Sequence, residues 1–292
     1  MKMKRNEKLG MLTGLVVGVL LLLISVFMIF QTTCKVWGAE KPANATQQGI
    51  DVSSHQGKID WEQVKNSALA DYAIIRCGYG VNQTDKDDKY WDYNSSECER
   101  LGIPYGTYLY SGADTTAKAR SEAEHVVRLL QGKNLTYPIY YDMEADMLNQ
   151  LSSTQIGNIA KTFLNTMESY GYKNVAVYSN KYLFETKLTA SVFSDYPKWI
   201  AQHSNKCTYQ GSYHMWQYST QGVIPGISEK VDLNYKIGNW TYAGYSSAKK
   251  TVVVKPKATT IKSLRKSGKK AVKITYKKVS GVSGYQIYMS TK

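Results

Sequence analysis

The chain has 292 residues, 43% of them apolar and 24 of them tyrosine, and a formal charge of +14. That length holds one large domain with additions, or two domains, and the apolar content is ample for a core. The charge lies at the ends: residues 1–8 carry +3, residues 246–292 carry thirteen Lys and Arg with no acid, and residues 9–245 net about −2.

Behind the basic flank 1–8, Leu9 to Phe30 runs for 22 residues without a charge. About 20 apolar residues span a bilayer as a helix, whereas a signal-peptide core is shorter. The run is read as an uncleaved anchor, the alternative being a signal peptide cut near Gly38 and Ala39. Either places the rest of the chain outside the membrane, with the basic flank in the cytoplasm. Nucleic acid is a poor partner for a chain exported in this way. Residues 31–48 read as a linker.

From Gly49 strands and helices alternate. Gly49–His55 is a short strand running into a turn, and Ile59–Ala70 has Trp61, Val64 and Ala68 at helical spacing. Tyr72–Gly80 is a strand closed by glycines, and Asp92–Leu101 a helix stopped by Gly102. Tyr105–Tyr110 is a strand and Thr115–Leu130 a helix. Thr154–Tyr170 is a helix capped by Ser152 or Ser153, and Val175–Tyr178 a strand. Three strand candidates follow without helices between them: Lys198–Gln202, His214–Tyr218 and Lys230–Leu233. The alternation predicts an α/β fold with a mainly parallel sheet, and about eight strands in this length suggest a compact barrel. Beyond Cys34 only three cysteines follow, Cys77, Cys98 and Cys207, too few for a disulfide framework, although Cys77 and Cys98 are a candidate pair. The four histidines show no metal-ligand spacing and no phosphate-binding glycine loop is present, so neither metal nor cofactor is expected.

The stretch Pro138–Asp146 stands at the centre of this order. Ile139, Tyr140 and Tyr141 favour a strand, which leads into Asp142 and Glu144. Alternation puts these two acids on one face with their backbones about 7 Å apart. Paired carboxyls suit glycoside hydrolysis, in which one protonates the leaving oxygen and the other steadies positive charge on the sugar. Acids also gather at helix N-termini, so these nine residues alone leave both readings open.

Gly49-Ile50-Asp51-Val52-Ser53-Ser54-His55-Gln56-Gly57, followed by Ile59-Asp60-Trp61, resembles the opening signature of glycoside hydrolase family 25, the Chalaropsis-type lysozymes or N-acetylmuramidases. Tyr72–Gly80 resembles the family's second strand, and Tyr141-Asp142-Met143-Glu144 its Asp-x-Glu motif. Trp199-Ile200-Ala201 and Trp216-Gln217-Tyr218-Ser219 resemble its late strands, and Val231-Asp232-Leu233-Asn234 its last acidic motif. The likeness covers about residues 48–240. It implies an irregular TIM-like barrel of about five β/α units and three further strands, acting on the β-1,4 bond after N-acetylmuramic acid in peptidoglycan. It also implies Glu144 as general acid, Asp142 as its partner carboxylate, and Asp51 and Asp232 as completing the cluster. The mechanism it implies has the substrate's own acetamido group attack the anomeric carbon. Tyr110, Tyr178, Trp199, Gln217 and Tyr218, at or near strand ends, form a candidate saccharide groove. Two departures bear on fine specificity: His203 stands where many members carry an aromatic residue, and Leu109 where a polar or aromatic residue is frequent. The alternatives are another Asp-x-Glu N-acetylhexosaminidase, such as a chitinase, or a silent wall-binding module.

After a linker, 241–257, the tail 258–292 alternates over Lys269–Tyr276 and Gly281–Tyr288. It resembles the first half of a fibronectin type III-like module. Its lysines suit anionic wall polymers outside a cell. A solvated lysine face on an ordinary small domain is the simpler reading.

Overall fold

The computed structural model describes residues 39–240, 259–267 and 271–278. The apolar run 9–30 lies outside them, and among the described residues no helix is long and apolar enough to cross a membrane. The larger unit runs β1 (Ala45–Val52), α1 (Trp61–Ser67), β2 (Tyr72–Tyr79), α2 (Trp91–Leu101), β3 (Tyr105–Tyr110), α3 (Thr116–Leu129) and β4 (Ile139–Asp142). It continues with α4 (Ser153–Ser169), β5 (Val175–Asn180), α5 (Lys181–Thr186), α6 (Val192–Asp195), β6 (Lys198–Ala201), β7 (Met215–Gly222) and β8 (Val231–Ile237). The eight strands close into a barrel in sequence order. Neighbours are parallel from β1 to β7, and β8 closes the ring antiparallel to both β7 and β1.

Local chemistry sets the helix ends. The Asp60 side chain accepts from the Gln63 amide at 3.1 Å to open α1. Ser152 and Gln155 form a capping box at α4, and Gly102 ends α2 at φ 66°. Such caps satisfy the amides and carbonyls that a helix end leaves unpaired. Gly49 answers a packing demand, because a Cβ there would meet the Tyr72 ring at 2.4 Å.

The structure corrects three expectations. β1 begins at Ala45, four residues before Gly49 and inside the expected linker, because Ala45–Gln48 pair with β8. That partner is about 190 residues away in sequence, so local composition carries no trace of it. Between β5 and β6 stand α5 and α6, each too short for helical periodicity to register. Cys77 and Cys98 are separate, buried, free thiols.

The core has two layers. Between strands and helices lie Ile139, Tyr141 and Met143, with Tyr141 stacked on Phe163 of α4 at 3.8 Å. Inside the barrel lie Tyr72, Ile74, Tyr140, Tyr178, Trp199 and Met215. The strand alternation along β4 therefore delivers Tyr140 and Asp142 to the interior.

The second unit is an antiparallel pair, β9 (Ile261–Lys266) and β10 (Val272–Tyr276). β10 falls within the expected Lys269–Tyr276 strand, but its partner is upstream. The other expected strand, 281–288, lies outside the described residues. Ile261, Leu264, Val272 and Tyr276 are exposed on this pair.

Candidate active site

Four acids converge at the barrel end formed by the C-termini of the parallel strands. Asp51 is the next-to-last residue of β1 and Asp232, its register partner, the second of β8. Asp142 is the last residue of β4. Glu144 lies two residues past the strand end, half-buried, on the chain that leads into a 3-10 turn at Asp146–Gln150. The main chain there is pinned from β5: the Met143 amide donates to the Tyr178 carbonyl at 2.9 Å, and Ser179 Oγ donates to the Met143 carbonyl at 2.6 Å.

A hydrogen-bond network fixes Asp51. Its Oδ2 accepts from Asn234 Nδ2 at 2.7 Å and from Gln217 Nε2 at 3.0 Å. The same Gln217 nitrogen lies 3.4 Å from Asp232 Oδ2. Asn234 is oriented in turn by Trp199, whose Nε1 donates to Asn234 Oδ1 at 2.8 Å. Gln217 Oε1 meets the Tyr178 hydroxyl and His203 Nε2, each at 3.0 Å. Asp142 differs: its Oδ1 is buried without a hydrogen-bond partner among the described residues.

All four carboxyls are pushed up from their ordinary values. Burial is the leading cause for each. The charges of Glu144 and Asp51 add to it at Asp142, and that of Asp51 at Glu144. Asp232 is pushed up to about 8 by burial and by Asp51. Arg76 works the other way on Asp142. Its guanidinium is held by Asp88 at 2.8 Å and by Ser54 Oγ at 2.9 Å. Like charges this crowded cannot all ionise, so the cluster retains protons at neutral pH.

The expected groove residues separate. Tyr110 is partly exposed and close enough to Asp142 and Glu144 to feel their charge. Tyr178 and Gln217 are buried within the acid network. Trp199 is 1% exposed and packs on Tyr178 and Tyr140 inside the barrel, so it supports Asn234 and offers no open face to a sugar. Tyr218 faces outward, 4% exposed and stacked on Tyr235 at 4.4 Å. Consecutive strand residues point to opposite faces, so Gln217 and Tyr218 cannot both serve the interior. Sequence reasoning passed over Asn234 and Arg76. The signals were present: Asn234 is two residues from Asp232 on the same strand face, and Arg76 is a charge within an apolar strand.

Comparison with known proteins agrees with this geometry. The model of the glycosyl hydrolases family 25 matches residues 50–227, more than half of the chain. The autolytic lysozyme of Clostridium acetobutylicum is 30% identical over 188 residues, covering 64% of this chain and 55% of that protein. Lysozyme M1 of Streptomyces globisporus is 28% identical over 201 residues, 64% of this chain and 66% of that protein. Among solved structures, the modular autolysin LytC from Streptococcus pneumoniae superposes with a TM-score of 0.60 at 33% identity, over 65% of this chain and 46% of that one. The chain thus spans about half the length of these autolytic relatives. LytC has also been solved with a synthetic peptidoglycan ligand.

Proposed function

Because the chain belongs to glycosyl hydrolase family 25, we propose that its barrel is a lysozyme, cleaving the β-1,4 bond between N-acetylmuramic acid and N-acetylglucosamine in peptidoglycan. The observation that carries this reading is the unpartnered Oδ1 of Asp142 beside Glu144. A 2-acetamido N–H would supply the missing donor. Accepting it favours ionised Asp142, and that negative charge in turn raises Glu144, so substrate binding leaves the cluster's proton on Glu144. The acetamido oxygen then attacks the anomeric carbon as the glycosidic bond breaks, and the Glu144 proton passes to the leaving oxygen. Asp142 stabilises the positive charge that develops on the acetamido group. Asp51 is held by Asn234 and Gln217 as a fixed acceptor on the opposite wall. Tyr110, partly open beside the two acids, is the best placed of the expected aromatics to meet a sugar ring.

The test is mass spectrometry of peptidoglycan digested by the chain. New reducing ends on muramic acid support the reading. New ends on glucosamine would make the enzyme a glucosaminidase, and no products would leave a binding module.

Two further proposals concern the ends. The run 9–30 is proposed to anchor the protein in the cell membrane with the barrel outside; a mature soluble form starting near Glu40 would refute it. The tail 258–292, proposed to be a partial fibronectin type III-like segment, is taken to retain the enzyme on anionic wall polymers through its lysines. Removing residues 246–292 should leave hydrolysis of soluble glycan fragments nearly unchanged and weaken retention on whole walls in a salt-dependent way. A large loss on soluble fragments would refute that division of labour.

A further inference from the structure

Resting on the lysozyme reading, we propose that His203 is a positioning residue: its ring N–H holds Gln217 on Asp51 and Asp232 when the Tyr178 proton turns to ionised Glu144. The argument begins with one oxygen and two donors. Gln217 Oε1 lies 3.0 Å from the Tyr178 hydroxyl of β5 and 3.0 Å from His203 Nε2, in the loop after β6. The amide cannot be turned the other way, because its nitrogen faces the carboxyl oxygens of Asp51 at 3.0 Å and Asp232 at 3.4 Å. An oxygen therefore faces the imidazole, and the ring nitrogen that meets it carries the hydrogen.

Tyr178 has a single O–H and two claimants for it. One is Gln217 Oε1. The other is Glu144, whose ionised form the Tyr178 hydroxyl stabilises. While Glu144 is a neutral acid, Tyr178 can serve Gln217. Once Glu144 has given its proton to the leaving oxygen it is a carboxylate, and a charged acceptor takes the stronger hydrogen bond. At that point His203 is the donor that remains for Gln217 Oε1. Gln217 is 3% exposed, so water is a poor substitute. Without His203, the buried carbonyl of Gln217 is left unpaired, which loosens the side chain that donates to Asp51 and Asp232. His203 itself is exposed, so it can be replaced without opening the core.

The experiment compares kcat and KM on purified glycan strands for the full chain, His203→Phe and His203→Gln. The hydrogen bond is needed once the acid has ionised, so its loss should fall on kcat with KM little changed. His203→Phe should lower kcat about 3–10-fold, the worth of one hydrogen bond. His203→Gln carries an amide N–H and should restore most of that rate. A Phe variant as fast as wild type, a loss confined to KM, or a Gln variant as slow as Phe would each overturn the inference. Those outcomes leave wild-type cleavage at muramic acid standing. A wild-type chain that released no muramic-acid ends would sink the lysozyme reading and this inference with it.

Discussion

The two ends of the barrel interior bury polar groups of opposite kinds. At the strand C-termini, four carboxyls lie together with raised pKa values and one oxygen unpaired. At the other end lie Tyr140, His214, Trp240 and Lys236. Tyr140 meets His214 Nε2 at 2.9 Å, and Trp240 Nε1 donates to the His214 carbonyl at 3.1 Å. Lys236 donates to Gln47 at 3.1 Å and sits over the Trp240 ring at 4.4 Å. Burial, with Lys236 and Lys198 nearby, pushes His214 down to about 3, so its ring is neutral across the physiological range. The lower end thus settles most of its burial by neutral groups and pairing, with the Tyr72 hydroxyl left without a partner among the described residues. The upper end crowds four carboxyls of like charge, the departure on which the proposed chemistry draws.

Removing the proton that the upper end stores should have the largest effect. Glu144→Gln keeps the shape but has nothing to transfer. General acid catalysis is worth about 10²–10⁴-fold, so turnover on peptidoglycan should fall by that order, with circular dichroism unchanged. Wild-type turnover should fall on the alkaline side as Glu144 loses its proton, the raised pKa placing that limb above the ordinary carboxylate range. A folded Glu144→Gln enzyme with near wild-type turnover would refute the assignment. Asp142→Asn should follow at about 10²–10³-fold, by analogy with removing one group that stabilises transition-state charge. Asp146→Asn is the control. Asp146 is exposed at the start of the 3-10 turn, and its loss should matter little. An inactive but folded Asp146→Asn would move the catalytic pair along the chain.

Much of this contrast was legible in the sequence. The alternation of strands and helices pointed to the barrel, and the Asp-x-Glu spacing paired Asp142 with Glu144, although the strand ends at Asp142 and Glu144 lies beyond it. Position along the chain did not reveal which face of a late strand turns inward. β7 has register shifts between Gln217 and Ser219 and between Ser219 and Gly222, and parity turns Gln217 inward with Met215 while Tyr218 faces out. Being near a strand end was therefore too coarse a criterion for Trp199 and Tyr218. The lower end was silent in the sequence, because His214, Lys236 and Gln47 come together only when β8 closes the ring against β1 and β7.

The upper end should make the fold weaker as pH rises. Asp232 titrates near its ordinary 3.8 when unfolded but at about 8 when folded. Between those values the native chain holds a proton that the unfolded chain has released. Stability is therefore full below the lower value and is lost as pH rises toward the upper, by at most about 1.4 kcal/mol per pH unit for one group. Asp232→Asn cannot titrate. Its thermal midpoint should fall less than that of wild type across this window. Parallel curves would show that Asp232 does not hold the proton.

The lower end should show the opposite sign and the smallest effect at neutral pH. His214 takes up a proton near 6.5 when unfolded and only near 3 when folded. Its contribution is therefore complete above 6.5 and declines as pH falls through the window, because the unfolded chain gains a proton that the folded interior refuses. The burial of the ring and the nearby Lys236 and Lys198 are the cause, and neither changes with a neutral replacement. His214→Gln keeps an amide within reach of Tyr140 and removes the titration. Near neutral pH the variant should lose about 1–2 kcal/mol through imperfect packing. Below 6.5 its stability should fall less steeply than that of wild type, so the two denaturation curves approach each other as the solution becomes acidic. Peptidoglycan turnover per folded molecule should be unchanged, since the residue lies at the end of the barrel away from the acids. A gap between the two proteins that stays constant from neutral to acidic pH would show that His214 is not held neutral by the fold, and the contrast between the two ends would rest on the acids alone.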